Sequence, residues 1–290
     1  MRSAFASVHP IISFLYYVGV IILCMTMLQP IFLLSAILLL LCLNIAHGNE
    51  KSLKRLLRAS LTLALFIAIM NPILTHRGST MLFYLFDNPV TLEAIVYGII
   101  MALSFFAIAL SFSSYQTIIS SHKFLYVFSR FSPKIALLTM IAIRFVPLFI
   151  RRLTQIQLVQ KTKGIQTEKG SLKSRASSGM KLLSVLLVCS LEEALQTADS
   201  MQARGFGTKK RSTYIRYHFE YRDWIIALAL LVCFISCMIA ISNGQGVLIV
   251  YPRLHNMFQI DWLAYASFLL YISVPLLVEG REWVWWHTHN

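Results

Sequence analysis

The sequence predicts an all-α polytopic membrane protein with about six transmembrane helices and two long cytoplasmic helices. Hydrophobic residues fill 57% of the 290 positions and charged residues only 13%, against about 25% charged in an ordinary soluble domain. Long apolar runs recur along the chain, separated by short polar or basic turns, as bilayer spans require. The net charge of +14 is unevenly spread, because residues 151–222 hold 14 Lys and Arg against 5 Asp and Glu. That basic stretch carries apolar residues at helical spacing, so it reads as helix and not as loop.

The first apolar run, Ile11 to Ala46, is too long for one span and is punctuated at Gln29-Pro30. It is therefore divided into two helices joined by a tight turn. No cleavable signal peptide is expected, since the run after His9-Pro10 continues too long and lacks a small-residue cleavage site. Lys51, Lys54, Arg55 and Arg58 follow, and loops rich in Lys and Arg stay in the cytoplasm, which places the N-terminus inside as well. A third span is expected from about Leu61 to Leu74, reaching the outside near Thr75–Gly78, and Pro89 opens a fourth from about Val90 to Ile119.

The run Ile135–Ile150 is discounted as a span. It has 16 residues where about 20 are needed, contains Arg144 and Pro147, and would strand the basic stretch outside. Its apolar residues instead continue as Leu138, Ala142, Phe145, Phe149, Leu153, Ile156 and Val159, the stripe of one helix of about 30 residues. After a polar turn at 164–170, a second long helix is expected from about Leu172 to Ala203, striped by Leu191, Ala194 with Leu195, Ala198 and Met201. Spans at about Trp224–Ile241 and Asp261–Val278 return the C-terminus inside, with Trp283, Trp285 and Trp286 as an interfacial belt. The expected organisation is an N-terminal transmembrane region at 1–133 with about four spans, a cytoplasmic or interfacial region at 134–222, and a C-terminal transmembrane region of two spans at 223–290.

Several chemistries find no support. The phosphate-cradling pattern G-x-x-x-x-G-K-[ST] is absent, so the chain is not expected to hydrolyse ATP by itself. Cys24, Cys42, Cys189, Cys233 and Cys237 lack paired spacing and read as small buried hydrophobes. His287 and His289 have no further ligands beside them, and no metal or cofactor is expected. Arg144 reads as an intramembrane functional charge or, with its helix at the interface, as one that merely snorkels to headgroups. Basicity beside membrane spans follows from the positive-inside rule, so nucleic acid is not an expected partner and the lipid bilayer is.

The remaining constellation lies at the ends of the two long helices. Each closes on a cation and a glycine: Thr162-Lys163-Gly164 and Ala203-Arg204-Gly205. Glycine at that position accepts the left-handed conformation that ends a helix, and the cation complements the negative end of the helix dipole. Capping alone does not require two such tips in one basic region, nor the acidic Glu192-Glu193 pair a few turns earlier.

Arg144-Phe145-Val146-Pro147 leading to Gln160–Gly164, and Ser190-Leu191-Glu192-Glu193-Ala194 leading to Ala203-Arg204-Gly205-Phe206-Gly207 and then Arg211-Ser212-Thr213-Tyr214, resemble the coupling domain of a known family. It is the transmembrane T component (EcfT/CbiQ-like) of energy-coupling factor transporters, ABC-type importers of vitamins and metals in prokaryotes. The resemblance covers about residues 136–214; elsewhere it rests on hydropathy and span order. It implies two crossed coupling helices whose tips, Thr162, Lys163, Gly164 and Ala203, Arg204, Gly205, dock in grooves of two ABC-type ATPase subunits. It also implies a substrate-binding membrane S component as partner, and packing of the coupling helices through Leu138, Phe145, Phe149, Ala194, Ala198 and Met201. It places the protein in the prokaryotic cell membrane as a non-catalytic scaffold.

In the first tip Lys163 stands where the family has arginine, a point charge in place of a planar fork of donors. The substitution fits two non-identical ATPase partners. The alternative is an independent permease or channel whose basic region contacts only lipid, but intramembrane carboxylates and broken helices of the kind that mark transport pathways are scarce. A membrane-embedded enzyme would need a His, Asp, Glu or Ser cluster in the spans, which the sequence lacks. A solvated basic region without a partner is the remaining reading.

Overall fold

The computed structural model describes residues 4–48, 50–75, 78–85, 88–129, 132–163, 171–208, 217–246, 248, 250 and 261–289. After a short 3-10 turn at Ala4–Ser7 come α1 (Pro10–Thr26), α2 (Pro30–Ala46) and α3 (Glu50–Leu74). A β-hairpin of β1 (Met81–Leu85) and β2 (Asn88–Thr91) follows, then α4 (Leu92–Ile118), α5 (Ser121–Ser129), α6 (Pro133–Thr162), α7 (Leu172–Ala203), α8 (Tyr221–Ser242) and α9 (Trp262–His289). The all-α membrane class holds. Five helical segments are long and apolar enough to cross a bilayer: Leu53–Leu74, Leu92–Ile118, Pro133–Thr162, Tyr221–Ser242 and Trp262–Arg281. Shorter apolar helices are α1 and α2, at 17 residues each. By length and composition α6 joins the candidate spans, although the sequence reading discounted its apolar half.

Proline sets both early helix starts. Pro10 and Pro30 stand in the first turn of α1 and α2, where the missing N–H costs nothing and the fixed φ is already helical. The ring of His9 accepts from the amide of Ile11 through Nδ1. The hairpin is absent from the sequence reading. Met81–Leu85 is apolar and aromatic, as strands favour, and it pairs antiparallel with β2, Tyr84 lying opposite Pro89 and Met81 opposite Thr91. Pro89 therefore sits in a strand, and α4 starts three residues later, where the Thr91 hydroxyl accepts from the amide of Ala94 as an N-cap.

The chain divides into two compact units, one of residues 1–124 with 217–290 and one of residues 125–216. In the first, Tyr16, Tyr17 and Leu23 of α1, Met27 at its C-cap, Phe32 and Leu40 of α2, Leu110 of α4 and Phe268 of α9 are fully buried in one core. Several of its polar groups are paired within it. Tyr16 donates to the Ile272 carbonyl at 2.9 Å, Ser104 to Cys24 at 2.7 Å, and Asn44 to Leu40 at 2.8 Å and Leu110 at 3.1 Å. In hydrocarbon an unpaired polar group costs several kcal/mol, so these bonds fix helix register as well as helix contact. Gly19 lets α1 meet the Tyr271 ring, since a Cβ there would lie 1.9 Å from the hydroxyl oxygen. Outside the spans, Lys123 of α5 donates to the carbonyls of Ala6 at 2.6 Å and Ile118 at 3.3 Å. Burial pushes its ammonium below the usual lysine range.

Candidate functional site

In the second unit α6 and α7 pack on one another. From Phe145 onward the half-buried positions of α6 are Phe145, Phe149, Leu153, Ile156 and Gln160, a spacing of three and four that traces one face. The rings of Phe145 and Phe149 stack with centroids 5.5 Å apart. On α7 the covered face runs through Leu182, Leu186, Cys189, Glu193, Thr197 and Met201, with Leu182 buried.

Phe145, Phe149 and Met201, named as packing residues from the sequence, lie on those covered faces. Leu138, Ala194 and Ala198 do not: Leu138 is 66% exposed, and both alanines are exposed. Ala142 and Val159 are exposed as well. The reason is visible on α7, where the covered stripe turns polar at Glu193 and Thr197 while Leu187, Leu191 and Leu195, spaced by four, remain open on another side. This helix carries more apolar surface than α6 covers. Periodicity alone merged the two stripes into one.

The end of α7 is built by backbone. The amide of Phe206 donates to the carbonyl of Met201 at 3.0 Å, and that of Gly205 to Gln202 at 2.9 Å. Together they make the paired closure that follows a helix when the next residue is left-handed, and Gly205 takes φ +79°. Thr208 seals the turn, its hydroxyl donating to the Gly205 carbonyl at 2.7 Å and its amide to the same oxygen at 3.2 Å. Arg204 sits at the cap, between the last helical residue Ala203 and that glycine, with its side chain exposed. Beside it Phe206 is half exposed. The tip thus presents a cation, carried on a closed backbone turn, next to an apolar ring.

The end of α6 is plainer. Lys163 caps it near helical backbone angles, its amide donating to Gln160 at 3.1 Å, and Thr162 turns its hydroxyl back to the Val159 carbonyl at 2.7 Å. Both side chains are exposed. Gly164, the turn at 165–170 and Arg211–Tyr214 lie outside the described residues, as do the side chains of Trp283, Trp285 and Trp286.

Two polar clusters in the first unit have no counterpart in the sequence reading. The buried Glu93 carboxylate accepts from the amides and hydroxyls of Ser79 and Thr80, the shortest bond being 2.7 Å from the Thr80 hydroxyl. This ties the loop before the hairpin to the start of α4. Elsewhere His47 Nε2 lies 2.8 Å from Glu279 Oε1, with the two side chains 1% and 14% exposed. His47 Nδ1 is 3.5 Å from the Ser114 hydroxyl, which shares a 2.7 Å hydrogen bond with Tyr17. The line joins the end of α2 to α9, α4 and α1. Glu279 in an apolar helix was the available signal, but its partner lies in a distant part of the sequence. Among the described residues no group of three His, Cys, Asp or Glu is placed to hold a metal ion.

Fold and site together define a multi-pass membrane protein of the all-α class with two long helices packed on each other, at least one ending in a closed cationic turn. The profile of the family CbiQ, cobalt transport protein, matches residues 4–215. The chain belongs to that family, and the match includes both long helices and both tips. It is similar to proteins named energy-coupling factor transporter transmembrane protein EcfT. The one from Lacticaseibacillus paracasei is 33% identical over 34% of this chain and 38% of its own length. That from Staphylococcus aureus is 30% identical over 32% and 35%, and that from Macrococcus caseolyticus 25% identical over 60% and 70%. The chain thus spans well under half the length of the first two relatives it matches. The family is described as a transport protein, and the relatives are named as transmembrane proteins of a transporter.

Proposed function

We propose that this protein is the energy-coupling scaffold of an ECF-type ABC importer. Six helices, α1 to α4 with α8 and α9, form the membrane scaffold with both termini in the cytoplasm, and α6 and α7 are its crossed coupling helices. Two ABC-type ATPase subunits bind the tips. Arg204, and Lys163 in the second contact, insert into acidic grooves of those subunits, and Ala203, Gly205, Thr162 and Gly164 shape the backbone that presents them. A substrate-binding S component for a vitamin or a transition metal rests on the apolar surface that α7 leaves open.

The observation that carries this reading is the closed turn around Arg204 at the end of a 32-residue helix within the family match. A cation on a flexible loop loses conformational freedom when it docks, whereas one held by two backbone bonds and a left-handed glycine has already lost most of it. The exposed stripe Leu187, Leu191 and Leu195 on the same helix supplies a second partner surface, so closure of the ATPase pair is transmitted along one rigid rod to the membrane partner.

Proteoliposome uptake tests the reading. The chain is reconstituted with two ABC ATPases and an S component from the same genome, and uptake of radiolabelled cobalt and a panel of vitamins is followed. ATP-dependent uptake that needs all the components is expected. Uptake by the chain alone, without ATP, would favour the independent permease instead.

A further inference from the structure

One strongly charged surface is not absorbed by the coupling tips. Over its first five turns α6 is apolar on all sides and leaves much of that surface open: beside the face of Phe145 and Phe149, the side chains of Ile135, Leu138, Met140, Val146, Leu148 and Ile150 are exposed in well-separated directions at 3.6 residues a turn. A helix apolar all round belongs in hydrocarbon or in a protein core. The run ends abruptly at Arg151-Arg152, both exposed, and beyond it Thr154, Gln155, Gln157 and Lys161 bring polar side chains into the exposed set. Arg144, seven residues before Arg151, shares its face about 10 Å away along the axis and is exposed too. The helix contains no Asp or Glu, and among the described residues none of these three arginines forms an ion pair.

We propose that Arg151 and Arg152, reinforced by Arg144, form a docking surface for anionic phospholipid headgroups. The charges stand where the continuous exposed apolar run gives way to a mixed, largely polar surface, the level at which a lipid turns from acyl chain to phosphate. A guanidinium offers a planar fork of donors matched to phosphate oxygens, and cations beside an anionic leaflet each add to membrane attraction. Continuity with the apolar surface selects lipid over an acidic protein, and the missing carboxylates leave the charge available. The pair fixes the depth of α6 in the membrane, and so the height at which its tip is held.

The test is native mass spectrometry of the full chain in mixed micelles of phosphatidylglycerol and phosphatidylcholine. Wild type is compared with Arg151→Gln/Arg152→Gln and with Lys173→Gln/Lys181→Gln, which removes two exposed charges from α7. Wild type and the lysine variant are expected to retain phosphatidylglycerol preferentially. The arginine variant is expected to lose that preference by a factor on the order of 30, from about a fivefold attraction per charge. Should it fail to elute as a single species, Arg151→Lys/Arg152→Lys keeps the charges and is expected to keep at least half of the preference. Equal retention of the two lipids by wild type, an equal loss in the lysine variant, or displacement by inorganic phosphate at matched concentration would each overturn the proposal. No ATPase takes part, so failure here leaves the coupling role untouched.

Discussion

The amide of Phe206 reaches back to the carbonyl of Met201 across 3.0 Å, and this bond holds Arg204 in place. It is possible only because Gly205, at φ +79°, turns the chain left-handed between them. A Cβ at that position meets strain whatever space surrounds it. Gly205→Ala is therefore expected to cost the tip about 1–2 kcal/mol with little change in the melting temperature of the whole protein. Proteolysis after Arg204 should accelerate and ATPase recovery should fall. Unchanged cleavage would mean that the turn does not depend on the glycine.

Gly19 is the opposite case, a glycine required by a neighbour and not by its backbone. Its absent Cβ makes room for the Tyr271 hydroxyl, which donates to the Tyr16 carbonyl at 3.2 Å. Gly19→Ala forces α1 and α9 apart and is expected to destabilise the membrane unit by about 1–3 kcal/mol. Thermal unfolding in detergent reads this directly, with Gly179→Ala as a control, since nothing lies within 4 Å of a Cβ there.

His47 and Glu279 are expected to be coupled. Removing either one leaves the other buried without its partner, at a cost of roughly 3 kcal/mol. Replacing both with leucine is expected to cost clearly less than the sum of the single changes. A double-mutant cycle by thermal unfolding measures the difference, and strict additivity would show that the 2.8 Å contact contributes nothing.

Much of this arrangement was legible in the sequence, for identifiable reasons. Pro10 and Pro30 mark helix starts, and the long periodic runs to Thr162 and Ala203 come out as single helices with the expected ends. The hairpin escaped because Pro89 resembles a helix start, yet it pairs opposite Tyr84 in a strand. The stripes of α6 and α7 were read as one face each, when Leu191 and Leu195 are exposed while Glu193 and Thr197 are covered. Periodicity finds an apolar face but does not say which neighbour covers it. The clusters around Glu93 and Glu279 depend on tertiary pairing, which a single carboxylate in a sequence does not reveal.

The exposed α7 stripe carries a separate expectation. Leu191→Arg and Leu195→Arg change side chains that are 66% and 61% exposed, so the fold should tolerate them within about 0.5 kcal/mol. If the stripe receives the S component, co-purification of that partner is lost while the ATPases are still recovered. Loss of both partners with an unchanged melting temperature would argue against separate surfaces.

The central claim is that Arg204 docks an ATPase, and co-purification tests it most directly. The chain is expressed with candidate ABC ATPases and an S component from the same genome, as wild type, Arg204→Glu and Lys163→Glu. The account predicts stable ATPase recovery with wild type and a sharp loss with Arg204→Glu, since truncating one side of a desolvated charge pair already costs about 2–5 kcal/mol. A smaller loss is expected with Lys163→Glu. Equal recovery of ATPase with wild type and Arg204→Glu, or none with any form, would contradict it.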